Sequence, residues 1–304
     1  MNWDDVRIFL AVARNGQILA ASRALGLNHA TVARRLTALE DALGSSLFQR
    51  RTSGTALTMQ GEKFLIHAEA MESASLAAAE AADANSEIEG TVRIGAPDGF
   101  GVAFLAPRLH QLIERHPALR IELVPVPRAF SLSRREADIA VTLERPREGR
   151  LVARKLTDYS LGLYASRHYL DTHGIPQSLD ELRHHRLVGY VDDLLYTASL
   201  DYTAAFNTEW HSRIAVSSAM GQTEAVRAGA GIGILHAFMA RRDSDLVPLL
   251  PQQTLIRSYW TVLHEDLRSI RRVALVSDFL AEIVARDRAE FLVPDREECG
   301  GPAP

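Results

Sequence analysis

A chain of 304 residues, 47% hydrophobic and 24% charged, has material for about two cored domains, and no apolar run approaches the roughly 18 residues that a bilayer crossing needs. The single cysteine, Cys299, excludes an intrachain disulfide, and the first residues place Asp4 and Asp5 where a secretion signal would be basic, so a cytoplasmic protein with no membrane partner is expected. Net charge is −4, but residues 1–58 carry +3 and the remainder −7, the asymmetry of a chain whose head alone meets phosphates.

Residues 3–15, 18–25 and 29–43 read as amphipathic helices. Val6, Phe9, Leu10 and Ala13 share a face of the first, Ile18, Ala21 and Leu25 of the second, and Val32, Leu36, Leu39 and Leu43 of the third. Gly16 and Gly44 stand where helices end. "LFQRRTSGTALT" reads as strand, turn and strand around Ser53-Gly54. Residues 59–88, free of proline and rich in alanine, read as one long helix of about 40 Å, with a linker without structure as the alternative. After Gly90 strands alternate with helices: "TVRIGAP", a helix over "GVAFLAPRLHQLIERHP", "LRIELVPV", a short helix or turn at "SLSRREAD", and "IAVTL". "LVARKLTDYSLGLYASRHYL" supplies further strands, and the alternation continues to residue 292. This is an α/β pattern in which parallel neighbours are expected. Residues 293–304 read as a frayed tail.

Two short helices joined by a glycine turn form a helix-turn-helix unit. Gly26 takes a positive φ cheaply, Asn28 is a good N-cap, and the next helix can present its first turn to a major groove. With Val32, Leu36 and Leu39 facing inward, His29, Ala30, Thr31, Ala33 and Arg34 fall where base edges would lie. Arg50, Arg51, Thr52 and Ser53 on the hairpin are placed for phosphates or the minor groove. An ordinary helical hairpin with solvated arginines fits the same spacing.

The run "DDVRIFLAVARNG…AASRALGLNHATVARRLTALEDALGSSLFQRRTSGTALTMQGE" resembles the N-terminal domain of the LysR-type transcriptional regulators over about 62 residues. Matching positions include Phe9 to Ala13, Gly16, Ala20-Ala21, Leu25-Gly26-Leu27, Val32, Arg34, Leu39-Glu40, Leu43-Gly44, Leu47-Phe48, Arg50, Leu57-Thr58 and Gly61, and "VRAGAGIGIL" is similar to a strand of the family's effector domain. The resemblance implies a winged helix-turn-helix head (1–58), a dimerising linker helix (59–90) and an effector module (91–292). That module would hold two Rossmann-like α/β subdomains, as in periplasmic binding proteins, over 91–161 with 266–292 and over 162–265. It implies a homodimer or homotetramer on double-stranded DNA at an inverted repeat, controlled by a small-molecule effector. The family often has Gln at the position of His29, Ser at that of Ala33, and Ser or Thr where Gln17 and Leu19 stand, so no operator sequence carries over.

By the same resemblance an effector sits between the subdomains. The matching positions include Asp98, Gly99 and Phe100, then Phe130 and Ser131, then Thr142, and then Ser217 and Ser218, with Arg128 nearby. Many relatives hold a carboxylate at the first of these. Asp98 would repel one, which implies a neutral or cationic effector unless Arg128 offsets it; Asp98 as a mere N-cap is the plainer reading.

Other chemistry finds little support. "GAGIGIL" has the wrong glycine spacing for a dinucleotide loop, His184-His185 lack partners at metal-ligand spacing, and no G-x-S-x-G elbow occurs. Neither cofactor nor metal nor enzymatic activity is expected. The alternative in another class is a small-molecule-binding module or enzyme with the helical head used for oligomerisation; a DNA architectural protein would leave the large body without a role.

Overall fold

Trp3–Asn15 (α1), Ile18–Leu25 (α2) and His29–Leu43 (α3) form the N-terminal helices, with the ends the sequence indicates. Asn2 and Asp5 close a capping box on α1, each side chain bonding the other's backbone N–H at 2.9 and 3.2 Å. Gly26 adopts φ 66°, so its N–H and that of Leu27 close the last turn of α2 while the chain turns away. Phe48–Arg51 (β1) and Gly54–Leu57 (β2) pair antiparallel, Phe48 opposite Leu57. Met59–Ala82 (α4) follows, 24 residues or about 36 Å.

The computed structural model describes residues 1–51, 54–82, 87–125, 137–146, 150–206 and 210–292. Glu87–Glu89 lie outside any helix, so the expected helix over 59–88 ends earlier. The chain divides into two units, one made chiefly of Met1–Ser86 and the other beginning at Glu87.

Phe9 is the hub of the first core. It is fully buried and meets Phe48 of β1 at 5.3 Å and Phe64 of α4 at 4.9 Å between ring centres. Ile8, Val32, Leu36 and Leu39 complete that core. Val32, Leu36 and Leu39 of the apolar stripe of α3 therefore point inward, while Leu43, in the last turn, is exposed. Arg14 on α1 and Glu72 on α4 add a two-pronged ion pair at 2.5 and 3.1 Å.

In the second unit the strands are Gly90–Ala96 (β3), Leu119–Pro125 (β4), Ile139–Thr142 (β5), Leu151–Ser166 (β6), Leu187–Gly189 (β7), Ser212–Ala215 (β8), Ile232–His236 (β9) and Leu246–His264 (β10). Among the described residues they form one sheet in the order β4-β3-β5-β10-β6-β9-β7-β8. Its helices are Leu109–Arg115 (α5), Arg167–His173 (α6), Ala219–Arg227 (α7), Ala237–Ala240 (α8), Arg271–Arg286 (α9) and Arg288–Phe291 (α10).

Parallel neighbours hold only at the two ends, β4-β3-β5 and β9-β7-β8. The expectation of parallel pairing fails in the middle, where β6 and β10 run antiparallel to each other and to β5 and β9. Strands β6 and β10 are shared between two lobes: Trp260–Leu263 pairs with β5, while Leu161–Tyr164 pairs with β9. The β6-β10 register shifts between Leu249 and Thr254 and again between Tyr259 and Trp260.

The helix expected over 101–117 is also modified. Gly99–Leu105 winds as a π-helix, Ala106–Arg108 as a 3-10 turn, and only α5 is regular. Pro107 lacks the N–H that a continuous helix would use. "LVARKLTDYSLGLYAS" is one strand, and α6 follows it directly.

Candidate nucleic-acid interface and ligand cavity

The first turn of α3 is held open by its cap. Asn28 Oδ1 accepts from Ala30 N at 2.8 Å. His29, Ala30 and Arg34 are exposed, and Thr31 and Ala33 are half-buried. The two adjacent arginines have different surroundings. Arg35 donates to Asp5 at 2.8 Å and to Asn2 at 2.9 Å, clamping α3 to the start of α1. Arg34, one position earlier, has no ion pair among the described residues, and its guanidinium keeps all its donors for an outside acceptor.

The hairpin is fixed from two sides. Glu40 of α3 accepts from Leu47 N at 2.6 Å and Phe48 N at 3.1 Å, which sets where β1 begins. Thr55 N and its Oγ1 both donate to Gly16 O, at 2.8 and 3.0 Å. Gly54 passes so close to that carbonyl that a Cβ would lie 2.5 Å from it, at φ +136°. Arg50 and Arg51 stand on β1 opposite Thr55 and Gly54, while Thr52 and Ser53 lie outside the described residues. Glu40 is a positioning residue that sequence reasoning missed; its signal is an acid at the end of α3 shortly before exposed backbone N–H groups.

In the second unit the end of β3 meets α7. Asp98 does not cap its own helix. Its Oδ2 accepts from Ser218 Oγ at 2.6 Å and from Met220 N at 3.1 Å, so it caps α7 across the lobes. Ser218 in turn accepts from Gly221 N at 3.0 Å. A second acid makes a similar bridge: Glu144, just after β5, accepts from Ser199 N at 3.2 Å and Ser199 Oγ at 2.7 Å, and also from Thr197 Oγ1.

Beside Asp98 lies a cavity with about 20 Å³ of free space, room for a water molecule. Asp98 and Gly99 line it, with Tyr190, Tyr196, Tyr202, Tyr259 and His236. Burial holds His236 down at about 4, Asp98 pulling the other way, so its imidazole is neutral at pH 7. Burial raises all four tyrosines, Tyr190 to about 12.

Of the expected residues only Asp98 and Gly99 line this cavity; Ser218 reaches it through its bond to Asp98, and three others lie off it. Phe100 is fully buried against Phe104, Tyr259 and Phe291 as core. Thr142 turns its hydroxyl to Glu144 O at 2.7 Å. Ser217 offers only its carbonyl, to Tyr190 Oη at 3.1 Å. Arg128, Phe130 and Ser131 fall outside the described residues. The tyrosines were missed, although all seven in the chain lie between 159 and 259.

Residues 3–62 match the family described as "Bacterial regulatory helix-turn-helix protein, lysR family", and residues 85–285 match "LysR substrate binding domain". The HTH-type transcriptional regulator CrgA of Neisseria meningitidis serogroup C is 28% identical over 292 residues, 92% of this chain and 96% of that one. The HTH-type transcriptional activator TtdR of Escherichia coli K12 is 27% identical over 295 residues, covering 91% and 92%. The solved structure of CrgA from Neisseria meningitidis superposes with a TM-score of 0.58 at 26% identity, covering 93% of this chain and 98% of that one.

Proposed function

The chain belongs to the LysR family of bacterial transcriptional regulators, and from that premise we propose how it reads DNA and where it is controlled. It is a DNA-binding regulator with a helix-turn-helix head and an effector-binding domain. His29, Ala30, Thr31, Ala33 and Arg34 face the major groove, Arg34 donating to a guanine edge. Arg50, Arg51, Thr52 and Ser53 hold phosphates from the wing. The head is residues 1–58, the linker 59–90, the effector module 91–292 and the tail 293–304. The linker helix pairs two chains, and the homodimer or its tetramer sits on an inverted repeat in the cytoplasm. Exposed Met59, Ile66 and Met71 on α4 support that pairing. The effector module acts by binding and not by turnover, with Asp98, Gly99 and Ser218 at the ligand; Arg128, Phe130 and Ser131 join them by resemblance alone.

The observation that carries the DNA reading is the pair Arg34 and Arg35. One guanidinium is spent on the fold, while its neighbour on the first turns of α3 is exposed and without an ion pair. The test is footprinting and equilibrium binding on the chain's own upstream region. Arg34→Ala should cost about 1–3 kcal/mol on the true site and little on random DNA, whereas Arg51→Ala should lower the salt slope by about one. Equal losses on both DNAs for both variants would refute the roles.

A further inference from the structure

Among the described residues the cavity wall holds one carboxylate and no cation. Asp98 is the only acid in the lining, which has no Lys or Arg, and among the described residues Asp98 makes no ion pair. Its two donors, Ser218 Oγ and Met220 N, are neutral and both reach Oδ2. His236, the other titratable base in the wall, is neutral at pH 7. Among the described residues, which do not include Arg128, no side chain around Asp98 compensates its negative charge.

The rest of the wall is aromatic. Tyr190, Tyr196, Tyr202 and Tyr259 surround the same space. Tyr259 is fully buried, and its hydroxyl has no hydrogen-bond partner. Tyr202, 7% exposed, turns its hydroxyl to that of Tyr159. A buried hydroxyl left without a partner is costly, so Tyr259 in this wall marks a place where an occupant supplies what the fold does not.

Resting on the reading of this cavity as the effector site, we propose that its ligand carries an organic ammonium group, which sits against the Asp98 carboxylate within the tyrosine wall. Charge complementarity selects a cation over an anion, and tyrosine rings attract cations through their quadrupoles. The Tyr259 hydroxyl accepts from an ammonium N–H or from another polar group of the ligand. The ligand exceeds the space now present, so its entry parts the lobes at the Asp98–Ser218 bridge, and binding competes with that bridge for the carboxylate.

Three near-isosteric probes differing in charge test this on the full-length protein: choline, 3,3-dimethylbutan-1-ol and 3,3-dimethylbutyrate, with butylammonium as the primary-amine counterpart. Thermal shift and calorimetry should show choline or butylammonium raising Tm and binding, the alcohol at least about tenfold weaker, and the carboxylate not at all. Asp98→Asn keeps an acceptor for Ser218 and Met220 but should weaken the ammonium about tenfold and abolish its advantage over the alcohol. Should that variant not fold, Tyr196→Leu and Tyr196→Phe give the second comparison, with binding lost in the first and kept in the second. Binding of the carboxylate or alcohol in preference to the ammonium overturns the charge assignment and leaves the effector-cavity reading standing. No response to any of the four probes overturns both.

Discussion

At the scale of single residues, neighbours of the same type divide the work. Arg35 is 27% exposed and Asp5 13%, so their bond at 2.8 Å is partly shielded from water. Removing Arg35 leaves Asp5 short of a charged donor and loosens α3 from α1; Arg35→Ala should destabilise the head by about 1–2 kcal/mol in urea unfolding. Arg34→Ala should leave that curve unchanged while weakening DNA. If both variants unfold alike, the two arginines do not divide as described. His236 makes a different prediction. Its folded value, about 4, lies below the ordinary 6.5 because burial disfavours the charged ring. Below pH 6.5 the unfolded chain takes up a proton that the folded chain refuses. Stability is therefore full above that pH, falls as pH drops toward 4, and then levels, a loss on the order of 3 kcal/mol. In His236→Gln the slope of unfolding free energy between pH 6.5 and 4 should flatten; an unchanged slope would place the proton uptake elsewhere.

Elements are where the sequence was most and least legible. Helices α1 to α3 could be read because each signal is local: a capping box at Asn2 and Asp5, left-handed Gly16, Gly26 and Gly44, and an apolar stripe repeating every three or four residues. The central sheet could not. β6 and β10 pair across almost a hundred residues, and no local pattern distinguishes a long shared strand from two short ones. Nor does spacing reveal that Asp98 bonds a serine 120 positions away. Tyr190, Tyr196, Tyr202 and Tyr259 converge only once the lobes form. The wing lies between these extremes: its turn was visible, but not its attachment to Gly16. Gly54→Ala would push a methyl into the Gly16 carbonyl at a φ that L-residues rarely adopt. A loss of about 2 kcal/mol in head stability is expected, together with a shallower salt dependence of DNA binding as the β1 arginines move. A variant with wild-type Tm and salt slope would show that the wing is not held there. Phe9→Ala, which empties the centre shared by α1, β1 and α4, should cost more, about 3–5 kcal/mol.

For the whole molecule the question is how a modest head gains a specific site. Residues 1–58 carry only +3, and in the proposed reading Arg34 and His29 on α3 would read few bases. Such a head alone is weak and salt-sensitive, because most of its affinity comes from phosphates. If two heads are joined through paired linker helices, as proposed, the second binds at an effective concentration fixed by the first and can add about 10²–10⁴ to affinity. That gain survives only while both half-sites face the same side of the duplex, which repeats about every 10.5 base pairs. Inserting five base pairs between the half-sites should therefore weaken binding by about a hundredfold or more, and inserting ten should restore a large part of it. The comparison, by mobility shift at fixed salt, isolates geometry because all base and phosphate contacts remain available in each DNA. Equal loss from both insertions would mean that the heads bind independently, and the proposed pairing through α4 would then have no part in recognition.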